Sequence, residues 1–180
     1  KNVKCLAVNV EEGVFLCHHC GWAGGLKTKS EHLPIHWRKP EYRKPERSPS
    51  PDLPPNVIEW FASRGITAPT LIRNKVGYGP VYMPQIEGDI GAVAFPYFVK
   101  GEHINTKWRD ANKNFRMEAG AQRVLYGLDD IAESASVIWV EGEMDKLSVE
   151  EAGLKNCVSV PDGAPAVNSK EYASKFDFID

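Results

Sequence analysis

The sequence predicts a mixed α/β (α+β) fold, and three patterns carry that prediction. An apolar run at 137–140 leads into an acidic turn, a helical pattern and a second apolar run at 158–160. Two adjacent runs at 92–99 and 103–109 are typical of paired strands, joined at Lys100-Gly101. Residues 5–26 alternate apolar and polar side chains around Glu12-Gly13, which predicts a β-hairpin.

Composition divides the 180 residues into four segments. Residues 1–27 form the hairpin module, and residues 28–55 are rich in Pro, Ser and charged side chains, which predicts an extended linker. Residues 56–132 begin the larger domain, and 133–180 complete it as an α/β unit.

Two helices are predicted at the start of the larger domain. An amphipathic helix should cover 53–64, behind a proline pair and before the stop signal of Gly65, and a short one should cover 67–74. The side chains expected on the buried face of the first helix are Val57, Ile58, Trp60 and Phe61. Asp129-Asp130 is interpreted as the amino-terminal cap of a third, short helix at 131–133.

Composition also narrows the classes of function. No apolar run approaches the ~20 residues of a membrane span, so no membrane partner is expected. A net charge of −2 argues against general affinity for nucleic acid, so local patches must decide that question. The chain lacks an initiator Met and a signal-peptide pattern, which suggests a piece of a longer protein.

The Cys17-x-x-Cys20 turn, followed by Gly21, is the first candidate site. Such a turn can direct two thiolates at one zinc ion, and tetrahedral zinc needs four ligands. We therefore interpret it as half of a zinc ribbon whose other cysteine pair lies upstream of Lys1. Cys5 is expected to face the hairpin interior as a small apolar residue. The alternative is two reduced cysteines in an ordinary turn.

The acidic turn that follows the strand at 137–140 is the second candidate site. Glu141 precedes Gly142, and Glu143 and Asp145 follow. Chemistry in parallel α/β sheets sits at the carboxyl ends of strands, and Mg²⁺ is held by a few carboxylates plus substrate phosphates. The alternative is an ordinary βα turn, because acidic residues are common in the first turn of helices.

A basic segment at 107–116 is the third candidate site. Cations interleaved with Trp108 and Phe115 suit phosphate neutralisation and base stacking, although a charge run can also be only a solvated face. Ser148 and the loop 162–164 should line the same edge as the acidic turn, with Asp162 equally explained as a helix cap. The basic residues are Lys107, Arg109, Lys113 and Arg116.

Taken together, CHHCGWAGG, INTKWRDANKNFRM, RVLYGLDDI and VIWVEGEMDKLSV resemble the phage-type bifunctional DNA primase–helicases, a family that includes Twinkle-like mitochondrial proteins. The resemblance implies a partial zinc ribbon at 1–27, the amino-terminal subdomain of a primase core at 56–132, and a truncated Toprim domain at 133–180. It implies Mg²⁺-dependent (or Mn²⁺-dependent) synthesis of short RNA primers on a single-stranded DNA template.

The resemblance also implies residue roles. Glu141 would be a magnesium ligand or base and Asp145 a supporting catalytic residue, while Cys17 and Cys20 would bind Zn²⁺. Nucleotide and template binding would be carried by Lys107, Arg109, Lys113 and Arg116. Implied partners are ribonucleoside triphosphates and a fused helicase domain, in a hexamer. The implied location is the cytoplasm of a phage-infected or bacterial cell, or the mitochondrion for a Twinkle relative.

Two alternatives stay open. One is another Toprim enzyme, a nuclease or topoisomerase, which would share Glu141 but act on DNA. The other is a non-catalytic DNA-binding scaffold of a Twinkle-like helicase. The family's Asp-x-Asp is expected beyond Asp180, after a helix that includes 176–180, so the 180-residue piece should be inactive by itself.

Overall fold

The computed structural model describes residues 5–11, 13–25, 41–46 and 48–163, and the chain divides into two compact units, 1–40 and 41–180. The predicted boundary at 27–28 and the predicted helix at 176–180 lie outside the described residues. The division into four segments is not tested by this split and stays a prediction.

The first unit contains the predicted hairpin, extended by a third strand. Strands β1 (Leu6–Asn9), β2 (Val14–Cys17) and β3 (Ala23–Gly25) form an antiparallel sheet in that order. Its large apolar side chains are mostly exposed, Val10 by 82% and Trp22 by 64%. Among the described residues of this unit, the strands therefore bury little apolar surface to stabilise the hairpin.

In its described residues, 41–46 and 48–163, the second unit combines three α-helices with two sheets. The predicted helices are present as α1 (Pro55–Ala62) and α2 (Ala68–Arg73). An antiparallel sheet follows, ordered β4-β5-β6-β7, and a parallel pair, β8 and β9, flanks helix α3. The remaining bounds are β4 Gly77–Met83, β5 Gly88–Val99, β6 Glu102–Arg109, β7 Phe115–Met117, β8 Ile138–Val140, α3 Glu143–Glu151 and β9 Cys157–Ser159.

One main core holds α1, α2, α3 and the four-stranded sheet together. Phe61 of α1, Phe95 and Tyr97 of β5, and Leu147 of α3 are at most 1% exposed and belong to the same apolar cluster. Helix α3 is therefore packed on the sheet that carries the basic segment, which brings the acidic turn and the basic segment to one side of the molecule.

The described part of the predicted linker, residues 41–46 and 48–54, contains no helix and belongs to the second unit. The Arg43 N–H donates to the Gly120 carbonyl at 2.9 Å, and the Tyr78 N–H donates to the Ser50 carbonyl at 2.9 Å. This part of the chain therefore lies along the second unit and is not a free spacer.

Two local predictions were wrong. Ile58 is 41% exposed, because Val57 and Phe61 alone fill the buried face of α1. The short helix is a 3₁₀ turn at Leu128–Ile131 whose cap is Gly127, with φ of +78°. Asp129 does not cap this turn. It accepts hydrogen bonds from the backbone N–H groups of Lys100 and Gly101, the residues that connect β5 to β6.

Candidate nucleotide site

The acidic turn lies where the parallel pair of strands ends. Ile138 pairs with Cys157 and Val140 with Ser159, so the carboxyl ends of β8 and β9 meet at one edge. Glu141 directly follows β8 and is exposed, while Pro161 and Asp162 follow β9. Two carboxylates from different parts of the chain thus stand at the edge where parallel sheets place their chemistry.

These carboxylates line an open cavity of about 670 Å³ whose other wall is basic. Its acidic lining residues are Glu141, Glu143 and Asp162. Its basic lining residues are Arg64, Lys107, Arg109, Lys113, Arg116 and Arg123. The structure therefore brings all four predicted basic residues together with Glu141. It adds Arg64, which lies just after α1, and Arg123, neither of which the sequence analysis selected.

Asp145 is not part of this cavity. It lies exposed on the first turn of α3, and its Oδ2 is 3.3 Å from the position that a Cβ on Gly142 would occupy. The carboxylate thus turns back over the amino end of the helix. Its predicted catalytic role stays a prediction, which this geometry does not support.

Lys107 is less exposed than its sequence context suggested. Its side chain is 11% exposed, and its Nζ donates to both carboxylate oxygens of Glu143, at 3.0 and 3.1 Å. Glu143 is 4% exposed and also accepts a 2.5 Å hydrogen bond from the Tyr97 hydroxyl. Burial, together with the Glu143 charge, raises the pKa of Tyr97 well above its usual value and keeps it a donor.

Arg109 is the opposite case, a buried guanidinium with free donors. Its Nε and NH1 have no hydrogen-bond partner among the described residues. Its charge lies 4.7 Å from the Trp60 ring centre, and the Arg64 guanidinium lies 4.8 Å from the same ring. Burial and the nearby Arg64 charge lower the pKa of Arg109. Asp110 and Glu143 partly offset this effect, but neither Arg109 nor Arg64 forms an ion pair among the described residues, so an anion in the cavity would be attracted to both cations.

The β6–β7 turn presents the other basic side chains, and Asp110 holds it. Asp110 is 4% exposed and accepts hydrogen bonds from the Asn112 N–H and from the N–H and Nδ2 of Asn114, at 2.7 to 2.8 Å. Burial alone would raise the pKa of Asp110, but these hydrogen bonds lower it. Lys113, at the tip, is exposed, whereas Arg116 donates to the Tyr82 carbonyl at 2.6 Å.

A network of charges fixes the position of α3 behind the acidic turn. The Lys146 side chain is fully buried, and its Nζ donates to Asp130 and Glu150 at 2.7 Å each. Arg73 of α2 is ion-paired with the same two carboxylates. Asn74 donates to Glu150 at 2.9 Å. The helix that begins at the acidic turn is thereby tied to α2 and to the 3₁₀ turn.

The candidate zinc turn has the expected local geometry. The Gly21 N–H donates to the Cys17 carbonyl at 2.8 Å, and Gly21 has φ of +76°. Hydrogen bonds from the backbone of Cys20 and His19 and from the Cys20 thiol lower the pKa of Cys17 to about 7. A thiol that ionises near neutrality suits a metal ligand. Cys5, expected to face the hairpin interior as a small apolar residue, is half-buried and interacts with the Cys17 thiol.

Within residues 5–11, 13–25, 41–46 and 48–163, no group of three or more His, Cys, Asp or Glu side chains could hold a metal ion. Glu141 and Asp162 nevertheless fit Mg²⁺, which commonly uses one or two carboxylates plus substrate phosphates and water. Cys17 and Cys20 fit half of a zinc site. No helix in the described part of the chain is long and apolar enough to cross a membrane.

Comparisons with known proteins were made against this background. No family model matches the chain. Over 120 residues, 66% of the chain, it is 49% identical to a "Twinkle homolog protein, chloroplastic/mitochondrial" and 48% identical to a "Primase homolog protein", both of Arabidopsis thaliana. The chain covers 16% of the first relative and 34% of the second, so both are much longer. It is a homologue of both over that region.

The fold was compared with solved structures. The crystal structure of the zinc-binding and RNA polymerase domains of the Aquifex aeolicus primase matches with a TM-score of 0.52 at 17% identity, over 98% of this chain and 61% of that chain. At this identity the match concerns the fold alone. The predicted mixed α/β class is confirmed, and the fold resembles that of a primase.

Proposed function

We propose that this chain is the primase portion of a Twinkle-like primase–helicase, which synthesises short RNA primers on a single-stranded DNA template. The homology to proteins named Twinkle homolog and Primase homolog supports this family assignment. The observation that carries the activity is the cavity in which Glu141 faces a wall of basic side chains with unpaired guanidinium donors.

The proposed substrate is a ribonucleoside triphosphate paired with the template. Arg109 and Arg64 supply charge for its phosphates, and exposed Lys113 extends the basic wall outward. Charge-assisted hydrogen bonds from guanidinium to phosphate are among the strong ones in proteins. Glu141, with Asp162, would hold Mg²⁺ or Mn²⁺, which would stabilise the developing charge of the phosphoryl transfer.

The remaining assignments follow from the family. We propose that Cys17 and Cys20 bind Zn²⁺ with an upstream cysteine pair and contact the template. A helicase domain in the same chain, and hexamer formation through it, are proposed for the full-length protein. One relative is named chloroplastic/mitochondrial, which supports an organellar location over the bacterial or phage alternative.

A non-catalytic scaffold is the second candidate. Two observations favour it: Asp145 lies outside the cavity, and Glu143 is already paired with Lys107. Among the described residues the cavity then offers Glu141 and Asp162 for a metal, and Asp162 is ion-paired with Arg123 at 3.0 Å. A scaffold would keep the basic wall for DNA and have no need of Glu141.

Glu141→Gln in the full-length protein separates the two candidates. The substitution keeps the size of the side chain and removes the charge that a divalent ion requires. We expect loss of Mg²⁺-dependent primer synthesis with labelled ribonucleotides, with unchanged binding of single-stranded DNA. The matched control is Glu133→Gln, an exposed glutamate outside the cavity, which should keep full activity. Wild-type primer yield from Glu141→Gln would remove Glu141 from the mechanism, whereas the absence of primer synthesis by the wild-type full-length protein would support the scaffold.

A further inference from the structure

The position of Lys107 suggests a role other than phosphate binding. We propose that Lys107 is a positioning residue that fastens the two turns carrying Glu141 and Asp162 to the four-stranded sheet, through Glu143 and the Pro161 carbonyl. The inference rests on the proposed function and deepens it. It assigns a structural role to Lys107 and leaves substrate binding to other basic residues that line the cavity.

The hydrogen bonds of Lys107 leave it no donor for a substrate. A lysine ammonium group has three N–H donors. Its Nζ contacts both Glu143 oxygens, at 3.0 and 3.1 Å, and the Pro161 carbonyl at 2.7 Å. With its side chain 11% exposed, Lys107 would have to give up buried bonds to bind phosphate.

The partners of Lys107 explain what it positions. Glu143 lies two residues after Glu141 in the acidic turn, and Pro161 directly precedes Asp162. Lys107 itself lies on β6, opposite Phe95 on one side and Met117 on the other, within the sheet. One side chain thus links a rigid strand to both carboxylate-bearing turns.

Tyr97 helps to hold Glu143, the hydrogen-bond acceptor of Lys107, in place. Its ring is fully buried on β5, and its hydroxyl donates to Glu143 Oε1 at 2.5 Å. Glu143 is therefore held from the sheet by two residues of neighbouring strands. Arg64, Arg109 and Lys113 also line the cavity and are not ion-paired among the described residues, so these cations, and not Lys107, are the ones we propose for an anion.

Kinetics of the full-length protein distinguish the two roles. Lys107→Met removes the charge and keeps the stem; Lys113→Met is the matched variant on the exposed turn. We expect Lys107→Met to lower kcat for primer synthesis about tenfold or more with KM for ribonucleotides changed less than about twofold, and Lys113→Met to raise KM. Glu143→Gln should resemble Lys107→Met. If Lys107 binds phosphate, Lys107→Met raises KM as Lys113→Met does, and Glu143→Gln lowers KM because it frees the ammonium.

Hydrogen exchange gives a readout that does not depend on activity. In Lys107→Met we expect faster exchange of the backbone amides at 141–145 and at 162–163, and wild-type exchange at both in Lys113→Met. If the wild-type full-length protein made no primers, the proposed function would fail, while exchange would still test the positioning. Unchanged exchange at both turns in Lys107→Met would overturn the positioning role of Lys107.

A milder variant covers the case in which Lys107→Met does not fold. Tyr97→Phe removes one hydrogen bond from Glu143 and leaves both charges in place. It should accelerate exchange at 141–145 and lower kcat with little change in KM. Wild-type exchange and kcat in Tyr97→Phe, beside an unfolded Lys107→Met, would count against the inference.

Discussion

Removing the charge of Glu150 should loosen helix α3, and with it the acidic turn. Glu150 is 6% exposed and accepts hydrogen bonds from Arg73, Asn74 and Lys146. Burial opposes its ionisation, but these three donors together lower its pKa from 4.5 to about 2. The ionised carboxylate is thus more stable in the folded protein than in the unfolded chain.

The size of this stabilisation follows from the two pKa values. At about 1.4 kcal/mol per pKa unit, the difference between 4.5 and about 2 corresponds to about 3 kcal/mol at pH 7. Because the folded-state pKa is the lower one, the contribution is complete above pH 4.5 and is lost as the pH falls towards 2. We expect Glu150→Gln to cost about 3 kcal/mol at pH 7 and about 1 kcal/mol at pH 3.

Hydrogen exchange of the α3 backbone amides in the full-length protein measures this cost. The method reports the free energy of local opening, and it applies even when a large protein does not unfold in a single two-state transition. Glu150→Gln is compared with wild type at each pH, so the intrinsic pH dependence of exchange cancels. Glu133→Gln, at an exposed position, is the control and should change the opening free energy by less than about 0.5 kcal/mol. Equal protection of α3 in Glu150→Gln and wild type at pH 7, or a cost that does not shrink at low pH, would refute the reasoning.

Three further predictions concern single positions. Gly127→Ala should destabilise the second unit, because Gly127 has φ of +78° and the new Cβ would lie 2.8 Å from Lys146 Cε. Thermal unfolding of the variant and the wild type would detect the loss of stability, and an unchanged midpoint would count against the prediction. Cys20→Ser in the full-length protein should lower its zinc content after dialysis, since Cys17 would lose its partner ligand; retained zinc would rule the turn out as a ligand pair. Lys113→Ala should weaken single-stranded DNA binding and reduce the salt slope by about one unit, and an unchanged slope would make it a solvated side chain.

Local features of this protein were predictable from its sequence. The hairpin, α1, α2, the pair β5 and β6, and the acidic turn after β8 were all predicted close to where they occur. Each depends on side-chain periodicity and on turn residues a few positions apart, and these interactions act within one element. Strands β4 and β7 were missed. Gly and Pro weaken the alternating pattern in β4, and β7 is only three residues long.

The composition of the site was decided by tertiary structure. Arg64 and Arg123, which the sequence analysis did not select, join the cavity from distant parts of the chain, while Asp145, four residues after Glu141, turns away from it. Lys107 is chemically like Lys113, yet only Lys107 is buried against Glu143. Residue type and spacing in the sequence identified which chemical groups are available. Burial and pairing depend on which elements pack together, so only the folded chain determined which of those groups remain free to react or to bind.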